Sequence, residues 1–233
     1  MIGQRLTPAR SGTPAENVHF FIVNTHFFIV NQHTLSMKKI LALAVFLLPL
    51  ILTEAKNEKS PNPENFLTIE LKNGPVLIEL FPEDAPNHVK RIKELAKAGK
   101  FDGVAFHRVI DGFMAQTGDV EFGNAKDYDE RRVGTGGSNK PDLKAEFNKR
   151  KHVKGTCSMA RSRSPDSANS QFFICFERKE HLDGQYTIWG QVIKGMDNVE
   201  KIKRGSPFSG SVTNPDIMKK VTVGNSKTEK KPQ

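Results

Sequence analysis

The sequence predicts an all-β fold, a barrel or sandwich of about eight short strands with two helices added. Three observations predict it. Short runs with apolar residues at every second position recur along the chain, as in FLTIELK (66–72), where Leu67, Ile69 and Leu71 alternate with Thr68, Glu70 and Lys72. Turn dipeptides such as Asn73-Gly74 and Asp111-Gly112 separate such runs. Only two segments place apolar residues at helical spacing, which excludes a sheet of βαβ units.

Residues 1–36 carry the segment HFFIVN twice, at 19–24 and 26–31. Two copies are too few for a solenoid, and Met37 reads as the working start, with 1–36 an upstream extension outside the fold. Residues 37–55 have the pattern of a secretory signal: Lys38 and Lys39, an apolar run from Ile40 to Leu52, then small residues before a cleavage point after Ala55. The expectation is export, to the periplasm in a bacterium, or a membrane anchor if the signal stays uncleaved. Residues 56–65 form a polar, proline-bearing linker.

Strand 66–72 turns at Asn73-Gly74 into strand 75–81. A helix follows, with Asp84 placed to cap it, Pro86 in its first turn, an apolar face of Val89, Ile92, Leu95 and Ala96, and Gly99 at its end. Further strands are expected at 104–110, 113–118, 155–160, 170–176, 187–193 and 217–223. A second helix at 196–203 carries Met196, Val199 and Ile202 on one side. The polar, glycine-rich stretch 120–152 is long for a structureless loop, and such loops are usually functional. Residues 224–233 read as a solvated tail.

The chain has 35 Lys and Arg against 26 Asp and Glu, a net charge of +9. The basic residues are scattered rather than striped, so solubility accounts for them and no nucleic-acid partner is expected. Cys157 and Cys175 have no metal-ligand or Cys-x-x-Cys spacing and lie in apolar strands, so two packed free thiols are expected rather than a bridge. The chain carries no phosphate loop, no Gly-x-Ser-x-Gly, no His-Glu-x-x-His and no catalytic carboxylate pair. Ser162, Ser164 and Ser167 read as loop polar groups, and His107 as a structural histidine on the strand face opposite Arg108. The chemistry left is one that needs neither a nucleophile nor a metal.

Four blocks carry a more specific signal: FHRVIDGFMAQTGD (106–119), GTGG (134–137), SMARSRSPDSANSQFFICF (158–176) and LDGQYTIWGQVIKGMDNVEKI (182–202). In order and spacing they resemble the cyclophilin family of peptidyl-prolyl cis-trans isomerases, in its bacterial branch, over about residues 66–223. The resemblance implies an eight-stranded antiparallel β-barrel capped by two α-helices, no cofactor, and proline-containing unfolded or loop segments of client proteins as substrates. A monomer is expected. It implies that Arg108 hydrogen-bonds the twisted proline nitrogen and that Gln116 orients Arg108. Phe113, Met114, Phe173 and Leu182 would line the proline pocket, with Tyr186 closing its wall. Ala160 and Arg161 would offer main-chain groups to an extended peptide, helped by Gln171, and Gly134 would line the adjacent groove. Three departures stand out, one being Tyr186, which stands beside the pocket where many eukaryotic members have histidine. His181 replaces the tryptophan of many eukaryotic members, which bears on cyclosporin affinity rather than on turnover. Residues 120–133 look like an insertion. The rival function is a proline-peptide-binding chaperone module with incidental turnover.

Overall fold

The computed structural model describes residues 62–224; the upstream extension, the signal-like segment, most of the linker and the tail after Gly224 lie outside the described residues. Eight antiparallel strands form one curled sheet: β1 (Phe66–Leu71), β2 (Gly74–Leu80), β3 (Arg108–Ile110), β4 (Met114–Thr117), β5 (Thr156–Met159), β6 (Phe172–Cys175), β7 (Ile188–Lys194) and β8 (Lys220–Val223). Their order across the sheet is β3-β4-β6-β5-β7-β2-β1-β8. No ladder joins the two end strands. Single bridges, Ala105 to Ile217 and Arg108 to Ser211, draw the edges together instead. Hydrogen bonds from Gly103 N–H to the Met218 carbonyl (2.7 Å) and from Phe106 N–H to the Asp216 carbonyl (2.8 Å) complete the curl. Bringing edges together satisfies backbone groups that an open sheet would leave bare.

Two helices, α1 (Pro86–Lys97) and α2 (Met196–Glu200), accompany the sheet, the second shorter than the predicted 196–203. Helix α1 buries Val89, Ile92, Leu95 and Ala96, the face its spacing predicts. Gly99, at φ +65°, follows its end, where a left-handed residue is needed. Its start is a correction: Asp84 does not cap it. The cap position is Ala85, without a side-chain bond. The first free N–H groups, of Asn87 and His88, instead donate to the Glu146 carboxylate at 3.1 Å. Asp84 accepts from Arg150 Nε at 2.7 Å. A carboxylate from the long 120–152 stretch therefore does what the local sequence offered Asp84 for.

The predicted strand 104–110 is also corrected. Regular pairing covers only Arg108–Ile110, and the alternation breaks before it. Phe106 is fully buried in the interior although it has Arg108's parity, while Arg108 is half-buried on the outside. The chain bends between them, following the bonds that pull 103–106 toward 216–218.

The interior is one apolar cluster in which Phe172 meets Trp189 and Phe101 edge-on, with ring centroids 5.2 and 5.7 Å apart. A second, smaller cluster lies on the outer face: Met114, Phe173, Cys175 and Leu182, with Ile110, Phe113, Ala160 and Tyr186 packed against it.

Candidate active site

The outer cluster is built by register. Arg108 on β3 pairs with Gln116 on β4, Gln116 with Phe173 on β6, and Phe173 with Ser158 on β5. One row across four strands thus carries a cation, an amide, an aromatic ring and a hydroxyl. The next row carries Ile110, Met114 and Cys175. Facing pairs on one sheet surface lie close enough for their side chains to touch.

The polar end of the row is wired in one direction. Gln171 Nε2 donates to the Gly136 carbonyl (2.8 Å), Gln116 Nε2 donates to Gln171 Oε1 (3.0 Å), and Arg108 Nη1 donates to Gln116 Oε1 (3.2 Å). Each amide has its orientation dictated by the next. On its other side Arg108 Nε donates to the Ser209 carbonyl at 3.1 Å. Gly210 makes this approach possible: its φ is +75°, and a Cβ there would come within 2.5 Å of Ile110 Cγ1 and 3.1 Å of Arg108 Cγ. The guanidinium is held at two points, and Nη2 has no partner among the described residues.

That guanidinium borders a cavity of about 200 Å³. Met114, Phe173 and Leu182 form its buried floor, and Phe113 and Tyr186 form its sides. Gln116, Ala160 and Arg161 complete the lining with Arg108. Nine of the eleven residues expected at the site therefore meet around one cavity. The other two, Gly134 and Gln171, line an adjoining cavity of about 520 Å³, which shares Gln116, Ala160 and Arg161 with the first.

One of the expected roles changes in detail. The Ala160 N–H is committed to the Gln171 carbonyl at 2.9 Å, so of Ala160's main-chain groups only the carbonyl is free for a peptide. The Arg161 side chain is occupied as well. It donates to the Gln185 carbonyl from Nε (3.1 Å) and Nη2 (3.0 Å), and it covers the Tyr186 ring at 4.5 Å. Tyr186 is held between this cation and the edge of Phe173, 5.7 Å between centroids. His181 is exposed at the rim beside Phe113, 5.9 Å between rings, and does not line the cavity.

Behind the floor lies a polar layer that the sequence did not single out. The His152 ring stacks on Phe173, 6.2 Å between centroids at 17°. Its Nδ1 lies 3.1 Å from Asp183 Oδ1 and its Nε2 3.1 Å from Ser158 Oγ. Burial pushes His152 below its ordinary pKa. For Asp183, burial acts against the charge, but the His152 N–H and the Arg178 guanidinium outweigh it and hold the carboxyl far below the usual carboxylate range. Asp119 is a second such group. Fully buried, it accepts from Phe122 N–H (2.9 Å), Gly134 N–H (2.7 Å) and Gly136 N–H (3.0 Å). It ties segment 120–133 to the glycines beside Gln171. Its place at the end of the first motif was the available signal.

Cys157 faces the interior and Cys175 the outer cluster; both are free and buried, as expected. Burial pushes the Cys157 thiol well up and the Cys175 thiol up to about 12.

Comparison with known proteins bears on this arrangement. The family model for cyclophilin type peptidyl-prolyl cis-trans isomerases matches residues 66–223. A probable peptidyl-prolyl cis-trans isomerase of Brucella suis is 53% identical over 189 residues, which span 80% of this chain and 96% of that protein. A peptidyl-prolyl cis-trans isomerase of Helicobacter pylori is 36% identical over 65% of this chain and 89% of its own length. Among solved structures, a Cryptosporidium parvum cyclophilin type isomerase crystallised in the presence of the dipeptide Ala-Pro matches with a TM-score of 0.59 and 26% identity, over 69% of this chain and 99% of that one. A cyclophilin from Hirschia baltica matches with a TM-score of 0.58 and 26% identity, over 70% and 74%.

Proposed function

The chain belongs to the cyclophilin-type peptidyl-prolyl cis-trans isomerases, and from that premise we propose that Arg108 is the catalytic donor for X-Pro rotation. The enzyme is a peptidyl-prolyl cis-trans isomerase. The reaction turns an amide over a barrier of about 18–20 kcal/mol, set by C–N resonance. Uncatalysed, it takes tens to hundreds of seconds. Reaching milliseconds requires about 10⁴–10⁵-fold, or roughly 5.5–7 kcal/mol. At the top of the barrier resonance is lost and the nitrogen carries a lone pair. A donor aimed at that lone pair binds the twisted state and hardly the planar one, which is what lowers a barrier.

One observation carries the assignment. Arg108 is tethered by Gln116 and the Ser209 carbonyl, with donor capacity left over beside an apolar cavity. A hydrogen bond from a charged group contributes about 1.5–3 kcal/mol. The remainder falls to immobilisation of the proline ring over Met114, Phe173 and Leu182 and to the oriented dipoles of Gln116 and Gln171. The substrates proposed are X-Pro bonds in unfolded or loop segments of client proteins.

The test is exchange spectroscopy on a short proline peptide with Arg108→Ala and Arg108→Lys. Loss of the donor should lower kcat/KM by about ten- to a hundredfold. Lysine keeps the charge without the fork that reaches two tethers, so it should rescue little. An unchanged rate in Arg108→Ala overturns the assignment. On a refolding client, assistance that survives Arg108→Ala but fails in Phe113→Ala would favour the chaperone reading instead.

We also propose export, supported by the charge and apolar pattern of residues 37–55. Mass spectrometry of the cellular protein should find Lys56 as its first residue; an intact segment 37–55 would contradict cleavage.

A further inference from the structure

Segment 120–133 helps to build a further pocket, of about 340 Å³, beside Arg108. Tyr128, Glu130 and Val133 supply one wall, and Ser211, Val212 and Thr213 the other. Arg108 and Gln116 line this pocket and the proline cavity alike, so the two are neighbours.

Two features point to a ligand. Glu130 is exposed and makes no ion pair among the described residues, although the neighbouring Asp129 is paired with Arg132. His107 also lines the pocket, is only 6% exposed, and neither ring nitrogen has a well-aligned hydrogen-bond partner among the described residues, the Ala105 backbone and the Gln171 side chain being only loosely placed toward it. Buried polar atoms without partners are uncommon and call for a reason. Burial holds His107 below its ordinary pKa, so at neutral pH its ring offers an acceptor nitrogen.

The lining sorts by chemistry. Val133 and Val212 present aliphatic surface; Glu130, the Tyr128 ring and the neutral imidazole attract a cation, against the repulsion of the Arg108 guanidinium, which is tethered to Gln116 and the Ser209 carbonyl. A lysine or arginine side chain combines a methylene stem with a charged head in that order. We propose that this pocket is a specificity subsite for a basic side chain of the client, close in sequence to the proline. An extended peptide advances about 3.3 Å per residue, and the two pockets share Arg108 and Gln116, so the basic residue lies near the proline in sequence. The inference rests on Arg108 being the reactive centre, since that places the proline.

The test uses blocked peptides with one X-Pro bond and alanine elsewhere, lysine being moved through three positions on either side. Both kcat/KM and Kd are measured and expressed relative to the all-alanine peptide. Lysine at one position should raise the ratio by about threefold, within the range for an exposed charge pair. Glu130→Gln should return it to about one. Asp127→Asn makes the same charge change three residues away, outside the pocket lining, and should keep the preference. The proposal is overturned if no position favours lysine, if the preference survives Glu130→Gln, or if Asp127→Asn abolishes it equally. Failure of the Arg108 assignment looks different: turnover of the all-alanine peptide would withstand Arg108→Ala, and the Kd ratio would still report the subsite.

Discussion

Phe172 and Phe173 are neighbours on β6, buried to 0% and 5% exposure, and they do different things. Phe172 points into the curled sheet, its edges against Trp189 and Phe101. Phe173 points out, with His152 stacked on it, Tyr186 against it and a cavity beside it. The same alternation divides β4, where Ala115 joins the interior and Met114 the outer cluster. Burial alone therefore does not separate a core from a binding floor. What separates them is completeness. The interior cluster is closed on every side, whereas the outer one stops at Arg108 and Gln116 and leaves room for a ring.

The largest effect expected from this contrast is on stability. Phe172→Ala should cost about 3–5 kcal/mol, because it leaves a closed void. Phe173→Ala should cost less than half as much in a urea titration, since one side of its site is already open, while kcat/KM falls at least tenfold. Equal stability losses would erase the distinction between the two clusters. An intermediate case is Gly210→Ala, where the new methyl meets Ile110 and Arg108. About 1–2 kcal/mol of backbone strain is expected. The sharper readout is kcat, predicted to fall several-fold with KM little changed, because Arg108 is moved rather than removed. A variant with normal kcat would mean that the Ser209 tether does not position the guanidinium.

The contrast was partly legible in the chain. Alternation has a period of two, so Met114 and Gln116 could be assigned to one strand face from spacing, and glycine turns marked the strand ends, whereas Phe173 was placed only by the family resemblance. The family resemblance then put Arg108 beside them, and the fold and the enzyme class it implied are borne out. The unreadable parts depend on distant residues. The Ser209 carbonyl that tethers Arg108 is 101 positions away, and Glu146 reaches the start of α1 from 58 and 59 away. The bend that turns Phe106 inward comes from bonds to 216–218, which no local pattern encodes. His152 and Asp183 each look like ordinary loop residues until the fold stacks one under Phe173 and bonds it to the other.

That pair makes the outer cluster sensitive to acid. His152, His88 and His107 are all lowered by burial. The unfolded chain therefore takes up protons first as pH falls below about 6.5, and folded-state stability declines from there toward the folded values. Asp183 is lowered by its hydrogen bonds, so its contribution is complete above about pH 3.9 and is lost as pH falls further. His152→Gln should flatten the first decline and Asp183→Asn the second, each with some loss at pH 7. A His152→Gln profile that parallels the parent would mean that the imidazole packs under Phe173 without titrating across folding.

The smallest expected effect concerns the two thiols, one in each cluster. With its pKa pushed up to about 12, Cys175 should be almost wholly protonated at pH 8 and react with iodoacetamide far more slowly than an open cysteine. Cys157, in the closed interior, should be at least as inert. Both should label together once urea unfolds the chain. Faster labelling of Cys175 at low urea would locate the first opening in the outer cluster, beneath Met114. A pocket floor that opens before the core does would follow from the incompleteness that lets it bind a ring.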